Sequence, residues 1–278
     1  MARHPRVRAR LLIGEDRISN NPKLNNLQKG WLSATGDWVV MADSNLLLPQ
    51  DYLWRLLEAT GPEVALVSSP PIAVAPEGFC GALECAFLNT NQARLQLAAD
   101  AIGHGFAQGK TLFLRRSYLD AQGGLAALGG RLAEDVAATQ IVRGSGARVA
   151  LTRAPFAQPI GRRTLHQVWA RQLRWSKVRR DGFPRLFLAE PLNGAVLPLL
   201  CAALAAGPLV AAVFAALWYG AELALARRCK WPLGRWALAD LPLRDMLAPA
   251  LWLATFSGRG FEWRGNALAP GSLERLAE

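Results

Sequence analysis

Three groupings far apart in the chain have the residue types that phosphate and hydroxyl chemistry requires. Asp43 closes the continuous apolar run Trp38-Val39-Val40-Met41-Ala42, and Asp135 stands in Ala133-Glu134-Asp135 after a glycine-rich stretch. Arg171-Gln172-Leu173-Arg174-Trp175 lies in a strongly basic segment. A carboxylate at a strand end can hold a divalent cation, which neutralises a diphosphate leaving group. A second carboxylate can act as general base on an acceptor hydroxyl. Arg171, Arg174 and Trp175 fall at i, i+3 and i+4, on one helix face, where guanidinium groups can clamp a pyrophosphate. Trp175 either closes over that site or sits at a bilayer boundary. Transfer of a sugar from a sugar diphosphate to an alcohol uses all three groupings.

The elements that must position them alternate. The pattern predicts strands over Val7–Ile13, Trp38–Ala42, Val64–Ser68, Thr111–Leu114 and Arg148–Thr152, the third stopped by Pro70-Pro71. Helices are expected over Asp51–Thr60, Phe79–Ala99, Val136–Gly144 and Leu165–Arg180, with another leading in from Asn21-Pro22-Lys23. Such alternation argues for an α/β layer fold, whose ligands sit beyond the carboxyl ends of strands. Glu134 is read as the outward, solvated neighbour of Asp135. The loop from Gly103 to Gly109, followed by Lys110, lacks the spacing of a phosphate-binding loop. It reads either as substrate-lining or as a plain connection. His104 and His166 have no second ligand at metal spacing, and the four cysteines form no C-x-x-C pair.

Composition divides the chain. Of its 278 residues, those from Pro191 to Ala221 include no Asp, Glu, Lys or Arg. That run exceeds the roughly 20 residues that span a bilayer. Gly207-Pro208 breaks it, so a hairpin of two membrane helices of about 20 residues each is expected within Leu186–Ala226. Met246–Phe256 is too short for a span and reads as re-entrant or interfacial. The net charge of +11 crowds around the apolar run, at Arg171 to Arg185 and again from Arg227 to Arg235. This distribution points to a membrane surface and the cytosolic ends of spans rather than to nucleic acid. Three parts follow: residues 1–160 as the α/β domain, 161–185 as a basic interfacial helix, and 186–278 as the membrane part and tail.

In this order, several strings carry a resemblance. They are Asn21-Pro22-Lys23-Leu24-Asn25-Asn26-Leu27, Asp43-Ser44, Gly78-Phe79, Leu83-Glu84, Gln122-Gly123-Gly124-Leu125, Ala133-Glu134-Asp135 and Arg171-x-x-Arg174-Trp175. Together, and with Trp263-Arg264-Gly265-Asn266, they resemble the ceramide glucosyltransferase family, glycosyltransferase family 21, a branch of the inverting GT-A enzymes. The resemblance implies a GT-A, Rossmann-like domain followed by a helical membrane segment. It implies that Asp43 binds a Mg2+ or Mn2+ ion with UDP, and that Asp135 is the general base. Arg171, Arg174, Trp175, Lys23 and Asn26 would then contact the nucleotide sugar or the acceptor. The implied partners are UDP-glucose, a ceramide-like lipid and the bilayer, with the domain facing the cytosol of a bacterial inner membrane.

Two departures stand beside this. Asn45 replaces the second acid of a DxD pair. The family's opening membrane helix and first strand–helix units, with their first carboxylate, have no counterpart here. The domain is therefore expected to be incomplete at its N-terminus, and the chain alone to be poorly stable and of low turnover. The alternatives are N-acetylglucosamine transfer to a hopanoid, and a non-catalytic membrane-anchored remnant.

Overall fold

A computed structural model describes residues 9–258, 260–263 and 266–268. The chain opens with α1 (Pro22–Ser33), β1 (Trp38–Ala42), α2 (Tyr52–Glu58), β2 (Val64–Ser68) and β3 (Pro71–Glu77). A continuous helical stretch follows: α3 (Gly78–Ala86), a π-helical segment over Phe87–Ala93, and α4 (Arg94–Ala101). Then come β4 (Thr111–Arg115), α5 (Arg116–Ala121), the single turn α6 (Gly124–Ala127), α7 (Glu134–Gly144), β5 (Arg148–Leu151) and β6 (Phe156–Arg162). The remainder is helical, with α8 (Leu165–Gly182), α9 (Pro184–Leu188), α10 (Val196–Ala206), α11 (Pro208–Arg228) and α12 (Ala237–Ala254), before a short hairpin of β7 (Phe261–Trp263) and β8 (Asn266–Leu268). The mixed α/β body with a C-terminal helical part agrees with the expected fold class.

The main sheet has the order β1-β4-β2-β5. β4 runs antiparallel to both neighbours, while β2 and β5 are parallel. β2 is buried at every position, which suits its uninterrupted Val-Ala-Leu-Val-Ser composition. A core of Leu24, Trp31, Met41, Leu66, Leu112, Leu114 and Val142 joins α1 and α7 to the sheet. α1 begins where the Asn21 side chain accepts a hydrogen bond from the Lys23 amide at 3.0 Å, with Pro22 in the first turn.

Several expectations need correction. Residues 9–13 of the expected first strand have no regular structure, with Leu11 and Ile13 exposed; residues 7 and 8 lie outside the described residues. β2 ends at Ser68 as expected before Pro70-Pro71, but Pro71 also opens a further strand, β3, which pairs in parallel with β6. Their pairing makes a second, two-stranded sheet that the hydropathy pattern hid. Met246–Phe256 is not a separate segment: its residues up to Ala254 end the 18-residue helix α12, and Thr255 and Phe256 belong to the 3-10 turn that follows. In the closing string, Arg264 and Gly265 lie outside the described residues.

α8 is packed on the body. Val168, Trp169, Leu173 and Trp175 pack with α3 and with Leu243, Leu247 and Leu251 of α12. Its start is fixed by a capping box in which the Gln167 amide donates to Thr164 Oγ1 at 3.2 Å and the Thr164 amide to Gln167 Oε1 at 2.9 Å. α12 also buries charge. Arg244 is fully buried and meets Asp245 at 2.7 Å and Glu222 of α11 at 3.0 Å.

Asp240 of α12 is buried, and neither of its carboxylate oxygens has a partner. Burial pushes its carboxyl up to about 6. Because the unfolded carboxyl ionises near 3.8, folding at neutral pH must neutralise or strand a charge. Asp240→Asn is therefore expected to raise the thermal midpoint at pH 7.5, with the gain fading as pH falls toward 4. Melting curves in detergent at both pH values check this; a loss at pH 7.5 would contradict it.

Candidate active site

The site grows from the β1–β4 register. Ala42 pairs with Thr111, so Asp43 lies opposite Lys110, and the Asp43 amide donates to the Lys110 carbonyl at 3.0 Å. The Lys110 ammonium reaches Asp43 Oδ2 at 2.8 Å and Asn45 Oδ1 at 3.0 Å. From α1, the Lys23 ammonium meets Asp43 Oδ1 at 2.8 Å, Glu134 Oε1 at 2.7 Å and the Gly109 carbonyl at 2.7 Å. The Gly109 amide in turn donates to Asp135 Oδ2 at 2.7 Å. Asp43 and Asp135 thus share one cluster, joined through Lys23 and the Gly109–Lys110 turn.

Each charge answers to its neighbours. Burial would push the Asp43 carboxyl up, but Lys23 and Lys110 outweigh it and hold it below its ordinary value. Burial would lower the Lys23 ammonium, yet Glu134 and Asp43 raise it. Lys110 is lowered by burial, with Arg171 and Lys23 adding to the effect against Asp43. The Asp135 carboxyl is pushed up to about 6, first by burial and then by the adjacent Glu134, against the Gly109 amide, Lys23 and the Val136 amide. A carboxylate in that range accepts a proton at neutral pH far more readily than an ordinary one.

The reading of Glu134 as the solvated member of its pair is wrong. Its side chain is the more enclosed of the two, held by Lys23 and by Asn21 Nδ2 at 3.1 Å. Adjacent positions on a helix point about 100° apart, and only the long-range partner on α1 tells which one turns inward.

Gly109 suits this closeness. A Cβ there would sit 2.8 Å from Glu134 Oε1 and 3.4 Å from Asp135 Oδ2. Gly109→Ala is expected to displace Glu134 from Lys23, costing about 1–3 kcal/mol of stability. It should also slow turnover. Chemical denaturation read alongside turnover tests this; wild-type values for both would remove Gly109 from the account.

Arg171, Arg174 and Trp175 have separate surroundings. Arg171 pairs with Glu84 of α3, which is fully buried and also takes Arg163 at 2.9 Å. Its guanidinium stacks over the Trp175 ring at 5.6 Å from the centroid. Arg174 is half-buried and has no hydrogen-bond or ion-pair partner among the described residues. Burial and the nearby Arg171 depress its basicity. It is thus the guanidinium of the motif without a partner among the described residues. Gln172, between them, is buried and accepts from Gln92 Nε2 of the π-helical segment at 2.8 Å. Such π-helical segments occur frequently at functional sites. Asn26 is exposed on α1 and makes no hydrogen bond among the described residues. Its neighbour Asn25 has a structural task, accepting from the Ile18 and Ser19 amides at 3.0 Å each.

Lys110 was legible only as the end of a weak glycine loop, and its position across from Asp43 depends on strand register. The oxygen donors of Asp43, Asn45, Glu134 and the Gly109 carbonyl are of the kind that hard divalent cations take. A cleft of about 780 Å3 between α2 and β5, lined by Asp51, Arg55, Glu58 and Arg153 among others, shares no residue with this cluster.

The α/β body, with a strand-end acid and a helix-start acid in one cluster, matches by its sequence the glycosyltransferase class. The chain belongs to glycosyl transferase family 21, whose model matches residues 1–272. It is 25% identical to ceramide glucosyltransferase 3 of Caenorhabditis elegans over 281 residues, 96% of this chain and 61% of that protein. To ceramide glucosyltransferase 1 of the same organism it is 28% identical over 196 residues, 70% of this chain and 42% of that one. Ceramide glucosyltransferase of Komagataella phaffii is 26% identical over 253 residues. The chain therefore spans less than two thirds of the length of these curated relatives. Among solved structures, mannosyltransferase PcManGT from Pyrobaculum calidifontis in complex with GDP-Man and Mn2+ matches 82% of this chain and 65% of its own, at 21% identity and a TM-score of 0.37.

Proposed function

We propose that this protein transfers glucose from UDP-glucose to the primary hydroxyl of ceramide or a similar lipid alcohol, with inversion, at the cytosolic membrane face. The observation that supports this most is the Lys23 bridge. It ties Asp43 to Glu134 at 2.8 and 2.7 Å and so brings the strand-end acid beside Asp135. The ceramide glucosyltransferase relatives support the donor and acceptor.

In this reading Asp135 takes the proton of the lipid hydroxyl as that oxygen attacks the anomeric carbon. The bond from the anomeric carbon to the β-phosphate oxygen breaks, and its electron pair leaves with UDP. Lys110 and the free Arg174 face the growing diphosphate charge, which donors placed in advance stabilise most. A Mg2+ or Mn2+ ion held by Asp43 and Asn45 would supply further charge neutralisation to the diphosphate. Arg171 acts by position: locked on Glu84, it fixes the helix that presents Arg174.

The test uses membranes from cells expressing the gene, supplied with UDP-glucose and a short-chain ceramide. Expected is a β-linked hexosylceramide by mass spectrometry and NMR. Product formed only from UDP-N-acetylglucosamine and a hopanoid would replace the proposed substrates. Donor hydrolysis with no lipid product from either pair would end the reading.

A further inference from the structure

We infer that the α10–α11 hairpin enters a single leaflet of the bilayer and returns, with both ends on the side of the α/β body, rather than crossing. This stands apart from the reaction proposed above and rests on lengths and anchors.

The chain reverses at Gly207, whose φ is +86°, and Pro208 opens α11. The expected turn is there, but the first limb is shorter than expected. α10 has 11 residues, a rise of about 16 Å against the ~30 Å hydrocarbon core. The break before it runs through Glu190–Asn193, where Pro191 interrupts helix. α11 has 21 residues, yet its final turns are not free. Glu222 is buried and bonds Arg94 of α4 at 2.6 Å, and Ala226 packs with Ile72 and Ala93 of the α/β body. Residues 208–218 lie beyond the last hydrogen bond to the body, that of the Tyr219 hydroxyl to Asp245 Oδ2 at 3.3 Å, and amount to about 16 Å of helix.

Two side chains fix the geometry, the first being Asp245 of α12, which accepts from the Ala195 amide just before α10 at 3.1 Å and from the Tyr219 hydroxyl of α11 at 3.3 Å. Arg94 holds Glu222 of α11 through Nη1 and the Asn193 carbonyl, just before α10, through Nη2 at 3.4 Å. The feet of both limbs are therefore clamped at one guanidinium, so neither can end on the far side of a membrane. The projecting part matches acyl chains in chemistry. Leu200, Leu204, Leu209, Val213 and Leu217 are 54%, 88%, 77%, 53% and 68% exposed. Exposed Arg185, Arg227, Arg228 and Lys230 ring the base, where anionic headgroups lie. An apolar groove of about 620 Å3 runs among α10, α11 and α12, lined by Val196, Leu199, Leu223 and Met246 among others.

The native thiols Cys201, in α10, and Cys229, after α11, are both exposed in the structure and serve as probes. The full chain, with other accessible cysteines changed to serine, is inserted into sealed vesicles of phosphatidylethanolamine and phosphatidylglycerol. A membrane-impermeant maleimide is then applied to each face. Expected is labelling of Cys229 from one face only, and loss of labelling of Cys201 and of Leu209→Cys from both faces until detergent is added. A bimane at position 209 should be quenched more by lipids brominated near the methyl ends than near the headgroups. Labelling of position 209 from the face opposite Cys229 would show a crossing helix. Labelling of Cys201 from the same face as Cys229 would show that the hairpin does not insert. Either result overturns the inference, and Cys201 needs no substitution that could disturb folding.

Discussion

Asp135→Asn is expected to abolish measurable sugar transfer while leaving donor binding close to wild type. Removal of a positioned general base typically costs about 10²–10⁴-fold in rate. The amide oxygen can still accept from the Gly109 amide, which bonds Asp135 at 2.7 Å, so the turn that carries Lys110 keeps its place. What is lost is the proton acceptor. The pH profile gives a second readout. The carboxyl is raised from 3.8 to about 6, and a base works only when deprotonated. Wild-type kcat/KM should therefore fall about tenfold per pH unit below 6 and level off above it. Titration calorimetry with UDP-glucose separates a dead site from an unfolded one. A variant that retains transfer within a few-fold would assign the base elsewhere.

Removal of Lys23 should have a large effect on stability. Lys23→Ala leaves Asp43 and Glu134 facing each other with Asp135 nearby, and withdraws one of the two ammonium groups that offset their charge, leaving Lys110 alone. Losing one partner of a fully buried ion pair costs ~3–5 kcal/mol; these side chains retain some solvent contact, so about 2 kcal/mol is expected. The sign with pH follows from the shifts. The depressed Asp43 carboxyl contributes stability above its unfolded value of 3.8 and loses it as pH falls through the lower folded value. The raised Lys23 contributes fully below 10.5 and loses that part above it. The deficit should thus be full between pH 5 and 10 and shrink below 4. Manganese ions should raise the variant's melting midpoint more than the wild type's, because the vacated oxygens then take an external cation. Equal shifts in both proteins would mean that Lys23 does not stand in a cation position.

How far the sequence revealed this site depended on the range of the interactions involved. Asp43 was visible because an apolar run ending in a carboxylate is a local pattern, and Arg174 because helical spacing is local too. Gly207-Pro208 announced the turn of the hairpin for the same reason. Glu134 was misjudged because its surroundings come from Lys23 and Asn21, more than a hundred positions earlier. Lys110 was undervalued because only the pairing of Ala42 with Thr111 brings it to Asp43. The parallel pair β3 and β6 was missed because prolines at Pro71, Pro76 and Pro159 mask strand character, although their missing amides are tolerated at sheet edges. The shortness of α10 escaped because hydropathy counts apolar residues without seeing that Glu190–Asn193 has left the α-helix.

Gln92 and Arg94 are separated by one residue. The first grips the arginine-tryptophan helix through Gln172, and the second grips both feet of the hairpin. The apolar hairpin and the arginine-tryptophan helix are thus held at neighbouring points of one helical segment, with almost no slack chain between them. With the hairpin in one leaflet as inferred above, lateral stress there would have a short route to the proposed site, so turnover should vary with acyl length across vesicles of graded thickness. Identical rates in thin and thick bilayers would mean that this junction carries no load.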